Sequence, residues 1–304
     1  MTHRISARTA LLLTLPPLLW AGNAVVGRLA VGHVPPLALN ALRWWLALAL
    51  LLPLGWRALR RFDDITGRWK HLALLGLVGV GCYNALQYVA LRTSTPINIT
   101  LIAASSPLWM LGVGALFYRE HPTLRQGVSA VCSLAGVALV LSRGSLDTLL
   151  QVRLVQGDLL MLLAAALWAV YSWMLARPPR PMHGTARPAW NWAEFLLVQV
   201  LFGSLWASVF AGVERAIAPS DIDWSPWVLA ALAYVAIGPS VLAYRCWGLG
   251  VSTVGPALAA LFANLTPLFA ALLSAALLGE LPRWYHGVAF ALIAAGIVVS
   301  ARRR

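Results

Sequence analysis

The chain has 304 residues, 60% of them hydrophobic and only 11% charged, with a mean hydropathy of +0.76 and a formal net charge of +13. Soluble domains carry about 25% charged residues, so the polar surface that a water-soluble fold of this size needs is missing, and the composition is that of a membrane protein. The basic residues are scattered through short segments between apolar runs, which excludes the single basic face of a nucleic-acid binder. Cys82, Cys132 and Cys246 lie far apart without metal-ligand spacing, and no metal site is expected.

In chain order, runs of about 20 apolar residues predict spanning helices over 10–31, 37–55, 71–91, 96–118 and 125–142. Five more follow over 157–176, 190–212, 226–248, 253–278 and 284–301. The first has the outline of a signal peptide, with Arg4 and Arg8 ahead of a leucine-rich run and Gly-Asn-Ala ending at Ala24. The repeat described below needs it as a permanent helix. With the N-terminus in the cytoplasm, fifteen of the 23 Lys and Arg residues fall in inner segments and five in outer ones. This bias predicts cytoplasmic termini at both ends of a multi-pass bacterial inner-membrane protein. Of the tryptophans, Trp44, Trp45, Trp56, Trp69, Trp190, Trp192, Trp224, Trp227 and Trp284 lie near predicted span ends and read as interfacial anchors.

A shift of 160 residues lays the fourth predicted helix on the ninth. Pro107 meets Pro267, Glu120 meets Glu280 and Pro122 meets Pro282, while Pro96, Gly127 and Gly136 meet Pro256, Gly287 and Gly296. The Leu-Trp-Ala at 19–21 recurs at 167–169. Two units follow, 10–142 and 157–301. Each holds five spans, an odd number, so the second enters the bilayer upside down, as in many secondary transporters whose substrates sit near the midplane between repeats. The expected fold is an all-α polytopic membrane protein with ten transmembrane helices in two inverted-topology five-helix repeats. A proline within a helix frees a carbonyl, which lipid tolerates only where protein or a wet cavity satisfies it. Pro107 and Pro267 are therefore expected to kink helices that face a cavity. Glu120 and Glu280, at the ends of those helices, read as solvated or locally paired interfacial charges.

Ten spans in inverted halves, the LLWAGNAVVGR segment of the first helix and the paired Glu-x-Pro ends of the fourth and ninth helices resemble the EamA branch of the drug/metabolite transporter superfamily. The similarity runs over about residues 10–301. It implies export of small metabolites, with amino acids the leading class, sugars, nucleobases, drugs or lipids the alternatives, and the YddG-type amino acid exporters the nearer group within the branch.

Polar and aromatic side chains inside apolar spans are the candidates for holding substrate, because burying them unpaired is costly. These are Trp20 and Asn23 in the first helix, Tyr83, Asn84 and Gln87 in the third, Trp109 in the fourth, Trp168 and Tyr171 in the sixth, Tyr244 in the eighth and Asn264 in the ninth. Tyr88, Tyr234, Asn98, Thr100, Ser105, Ser106 and Thr266 belong to the wider set. Tyr83, Gln87 and Gly79 share one helical face. Arg28, Arg43 and Arg245 are the basic residues within or at the ends of spans. The first and last are expected to snorkel, and the deeper Arg43 to reach the surface or a neighbouring carbonyl. A substrate carboxylate would then fall to the N-termini of broken helices and its ammonium to carbonyls or tryptophan faces.

Glu194 is the one acid well inside a predicted span, and the six histidines lie in loops or at helix ends, so a buried proton relay is not expected and facilitated export is. Gly-x-Ser occurs in 127–130 and 250–253, as in intramembrane serine proteases, but without a histidine deep enough to act as base. Asp63 and Asp64 sit among Arg60, Arg61 and Arg68 as a solvated cluster, and the single lysine, Lys70, shares that loop. No catalytic residue, cofactor or nucleotide-binding loop is expected; the partners are a small amino acid-like solute and the lipid bilayer.

Overall fold

A computed structural model describes residues 6–94, 96–151, 154–278 and 283–301, and among them there is no strand. Helix α1 is Ala7–Leu29 and α2 is Pro36–Gly55. Helix α3 is Trp69–Ala90, with a π-helical turn at Leu77–Cys82. Helix α4 comes in two pieces, Pro96–Ala104 and Ser106–Tyr118. Next come α5 at Leu124–Leu141, α6 at Gln156–Ala176 and α7 at Trp192–Ile217. Helix α8 is Pro226–Val254, again with a π segment, at Ala236–Leu242. Helix α9 is split into Pro256–Ala263 and Thr266–Leu278, and α10 is Trp284–Ala301.

Among the described residues, seven helices are long and apolar enough to cross a membrane, joined by the shorter apolar helices Ser106–Tyr118, Pro256–Ala270 and Trp284–Ser300. Leu116, Phe117, Leu159 and Phe290 stay exposed, a surface suited to lipid tails and unsuited to water. The chain is a multi-pass membrane protein. The helices follow the predicted apolar runs to within a few residues, except that α7 and α8 run past the expected ends at 212 and 248. Helix α8 stops where Gly255 takes φ 84°, a left-handed conformation that glycine adopts without steric cost, and Pro256 then opens the next helix.

The broken and π-helical turns lie at matching places in the two halves. Ser106 and Thr266, which start the second pieces of α4 and α9, are 160 residues apart. Each break is built by the same local chemistry. Pro107 has no N–H to offer the Ala103 carbonyl, and Ser106 Oγ donates to that carbonyl at 2.5 Å. Pro267 leaves the Ala263 carbonyl free, and Thr266 Oγ1 donates to it at 2.6 Å. In the π segment of α8, Ser240 Oγ, next to Pro239, donates to the Val235 carbonyl at 2.7 Å. Protein hydroxyls therefore serve the carbonyls at both breaks and in the π segment.

The loops sort by end. At one end Arg61 Nη1 donates to the Ala189 carbonyl at 3.3 Å, Arg68 donates to the Pro181 and Ala186 carbonyls at 2.7 and 2.6 Å, and Arg177 pairs with Glu120. At the other, His33 pairs with Asp223 at 2.9 Å and Glu214 Oε2 accepts from the Leu37 and Ala38 N–H groups at 2.9 and 3.1 Å, capping α2. Glu120 is thus a locally paired end charge; Glu280 and Pro282 lie outside the described residues. Two of the expected interfacial tryptophans are corrected. Trp44 is 0% exposed and Trp190 is 9% exposed. Trp44 turns inward to meet Tyr244, with ring centroids 4.9 Å apart, because its helix packs between α7 and the π segment of α8.

Helices α5 and α10 pack along each other through small residues that let backbones approach. A Cβ on Gly136 would lie 2.9 Å from the Ala289 carbonyl oxygen, and one on Gly296 would lie 2.8 Å from that of Ser129. Gly127, by contrast, has nothing within 4 Å. Replacing Gly136 or Gly296 by Leu is expected to force these helices apart and destabilise the protein by about 1–3 kcal/mol, read as a lower melting temperature in detergent. Gly127→Leu should leave it unchanged; an equal loss at all three positions would contradict this packing.

Candidate substrate cavity

A cavity of about 100 Å³ lies where the broken helices meet, with room for several waters. Its walls come from both halves of the chain. Ala103, Ala104 and Ser106 supply the break of α4, and Ala263, Asn264, Thr266 and Pro267 supply that of α9. Trp20 and Asn23 enter from α1, Tyr83, Asn84 and Gln87 from α3, Trp168 from α6 and Tyr244 from α8.

One side of the cavity is a tryptophan–tyrosine cluster. Trp168 sits at its centre, with ring centroids 5.5 Å from Trp20, 5.1 Å from Tyr83, 5.5 Å from Tyr244 and 5.4 Å from Trp247. The Trp20 and Trp168 planes are nearly perpendicular, at 87°, an edge-to-face arrangement that aromatic quadrupoles favour. Polar tips are tied to backbone carbonyls and to a serine hydroxyl. Trp20 Nε1 donates to the Pro239 carbonyl at 3.4 Å, Tyr244 Oη donates to the Gly79 carbonyl at 2.5 Å, and Trp247 Nε1 donates to Ser172 Oγ at 3.2 Å. The π segments explain two of these contacts, since both accepting carbonyls, Gly79 and Pro239, lie inside them.

The other side is amide and hydroxyl. Asn264 Nδ2 donates to the Ala104 carbonyl at 3.1 Å and to Ser133 Oγ at 2.9 Å, so a residue of the second half holds the break of the first. Asn23 Oδ1 accepts from Tyr88 Oη and from Arg43 Nη1, both at 3.2 Å. Such a lining can stack a flat apolar group and offer polar contacts beside it.

Of the residues expected to hold substrate, Trp20, Asn23, Tyr83, Asn84, Gln87, Trp168, Tyr244 and Asn264 line this cavity, and so does Pro267. Pro107 is buried at the α4 break without lining it. Tyr171 stands behind the wall, its ring 5.1 Å from Trp168 and its hydroxyl donating to Gln199 Oε1 at 3.2 Å. Trp109 is half-buried, donates from Nε1 to Ser105 Oγ at 3.2 Å and lies off the cavity. The side chains of Arg28, Asn98 and Thr100 lie outside the described residues. Sequence reading passed over Trp247, although it stands three residues after Tyr244 on the same helical face, a spacing that could have pointed to it.

Glu194 does not reach the cavity. Its carboxylate accepts from the Asn191 N–H at 2.6 Å, while Asn191 Oδ1 accepts from the Glu194 N–H at 3.0 Å, a reciprocal cap at the start of α7. Asp158 accepts from the Val155 N–H at 2.8 Å and from Ser94 Oγ at the start of α6. Among the described residues no group of three or more His, Cys, Asp or Glu side chains is arranged to hold a metal ion.

Comparison with known proteins adds a family. The model of the EamA-like transporter family matches the chain twice, over residues 7–142 and 155–302. An uncharacterised transporter of Archaeoglobus fulgidus is 27% identical over 302 residues, covering 99% of each chain. The uncharacterised inner membrane transporter YedA of Escherichia coli K12 is 26% identical, covering 93% of this chain and 87% of its own. The aromatic amino acid exporter YddG of Ancylobacter novellus is 26% identical over 289 residues, covering 93% of both. A crystal structure at 22% identity superposes with a TM-score of 0.73 over 96% of each chain and shares the fold. With its family model matched along nearly the whole length of an all-helical membrane fold, the chain belongs to the EamA-like transporter family.

Proposed function

We propose that the protein exports amino acids or similar small metabolites across a bacterial inner membrane by alternating access through the central cavity. Ten spans in two inverted five-helix repeats, 10–142 and 157–301, with both termini in the cytoplasm, form the scaffold of this reading. Supporting the repeat, breaks and π turns recur about 160 residues apart, and each half carries its own match to the family model; the inversion follows from five spans in each unit. Supporting the orientation, the end that gathers Arg61, Arg68 and Arg177 is the one that the charge bias assigns to the cytoplasm.

The observation that carries the transport reading is a cavity closed by four aromatic rings and opened to polar contacts at two helix breaks. Breaks at matched positions give each half a hinge, and rocking of one half against the other would expose the cavity to alternate faces. The aromatic wall suits a solute with an apolar or aromatic side chain and offers ring faces to its ammonium. The similarity to an aromatic amino acid exporter points the same way. Glu194 and Asp158 are engaged at helix starts and among the described residues no acid lines the cavity, so transport is read as running down the solute gradient.

Efflux from loaded proteoliposomes against a panel of amino acids and other small metabolites tests the function. Saturable efflux of at least one amino acid is expected, and efflux of no panel member would end the proposal. Trp168→Ala should raise KM about tenfold by removing the centre of the aromatic wall, while Trp109→Ala, off the cavity, should change it little. An imposed pH gradient should leave the rate unchanged in wild type and in Glu194→Gln alike; gradient-driven flux lost in the variant would instead assign Glu194 a coupling role. Tags on the two ends are expected to be reached only from the cytoplasmic face, and ends on opposite faces would refute the paired-repeat topology.

A further inference from the structure

Arg43 is 0% exposed in the middle of α2. Its guanidinium lies 5.0 Å from the Trp44 ring centroid. Nε donates to Ser240 Oγ at 3.0 Å, and Nη1 donates to Asn23 Oδ1 at 3.2 Å and to Tyr88 Oη at 2.9 Å. None of these partners is an anion, and among the described residues Nη2 has no hydrogen-bond partner. The salt bridges of the described residues join other pairs: His33 with Asp223, Arg68 with Asp64, Arg177 with Glu120 and Arg215 with Asp221.

A guanidinium stays charged in any protein environment, and an uncompensated charge in the membrane interior is expensive enough that such residues mark function. Packing alone does not require one here, because a neutral amide could serve these three hydroxyl and amide neighbours. The position adds the second argument. Asn23 belongs both to the guanidinium cluster and to the wall of the central cavity. Tyr88, the other partner of Nη1, lines a separate cavity of about 230 Å³ at the end that carries His33 and Asp223. Arg43 thus donates to one wall residue of each of two cavities. The helix breaks are weaker candidates for an anion, because Pro107 and Pro267 carry no N–H and the hydroxyls of Ser106 and Thr266 are turned to the Ala103 and Ala263 carbonyls.

We propose that Arg43 is the anion anchor of the transport path, selecting solutes that carry a carboxylate. A carboxylate leaving the central cavity displaces Asn23 from Nη1 and takes Nη1 and the free Nη2 as a two-pronged partner. Its charge compensates the guanidinium while the solute passes towards the second cavity. This inference rests on the transport reading and narrows its substrate class.

Calorimetric binding to purified protein tests it with matched pairs: phenylalanine and phenylalaninamide, 3-phenylpropionate and 3-phenylpropionamide. Wild type should bind the carboxylate of a pair at least about tenfold more tightly than the amide. Arg43→Gln should abolish that ratio, and Arg43→Lys should keep part of it. Asn23→Asp, isosteric and bearing its own carboxylate against the guanidinium, should also abolish the ratio while holding or raising the melting temperature; it decides the matter if Arg43→Gln does not fold. A ratio unchanged in Asn23→Asp, or equal binding of acid and amide by wild type, overturns the anchor, as does failure to bind any of the carboxylates. In each case efflux of other solutes still tests transport separately. Binding of 3-phenylpropionate without phenylalanine would uphold the anchor and remove amino acids from the substrate class.

Discussion

In a lipid environment every backbone N–H and carbonyl must find its partner within the protein, and this structure depends on how it meets that demand where its helices are interrupted. Pro107, Pro239 and Pro267 each strip a hydrogen bond from a helix that must otherwise be continuous. In all three places a serine or threonine beside the proline donates to a carbonyl of the preceding turn. A break that would be costly in hydrocarbon becomes a stable bend. Such bends let main chain and short side chains face a cavity inside the bundle, which an unbroken helix packed by large apolar residues would fill.

The π turns do related work. The extra residue in Leu77–Cys82 and Ala236–Leu242 shifts the helical register and turns backbone carbonyls sideways. Gly79 and Pro239 then receive the Tyr244 hydroxyl and the Trp20 indole. The aromatic wall is thereby fixed in place by hydrogen bonds from its own polar tips, with Trp168 held edge-on or tilted by five neighbours. Positioned rings present a pre-formed surface, so little side-chain ordering remains to be done when a solute arrives. The acids follow a different logic. Buried as they are, Glu194, Glu214 and Asp158 serve the first turns of helices, where unpaired N–H groups favour negative charge, and this leaves the cluster around Arg43 without an anion of its own.

The helical spans were legible because lipid imposes a single, long hydrophobic signal, and their predicted limits lie close to those observed. Much of the cavity was legible too. A polar or aromatic residue in an apolar run is conspicuous, and Trp20, Asn23, Tyr83, Asn84, Gln87, Trp168, Tyr244 and Asn264 do line one space. The 160-residue recurrence of proline pointed to both helix breaks before any coordinates. Trp109 and Tyr171 carried the same signal without lining the cavity, since depth along a helix does not say which face a side chain occupies.

The sequence by itself determined that this is a multi-pass helical membrane protein, where its helices run and where two of them break, because those properties follow from local chemistry in a uniform solvent. Only the tertiary structure decided which faces meet. It turned Trp44 from an interfacial anchor into a buried neighbour of Tyr244, added Trp247 to the aromatic wall and enclosed Arg43 among Asn23, Tyr88 and Ser240. Those outcomes depend on helices distant in the chain packing at particular rotations, and rotation about a helix axis leaves hydropathy along the chain unchanged.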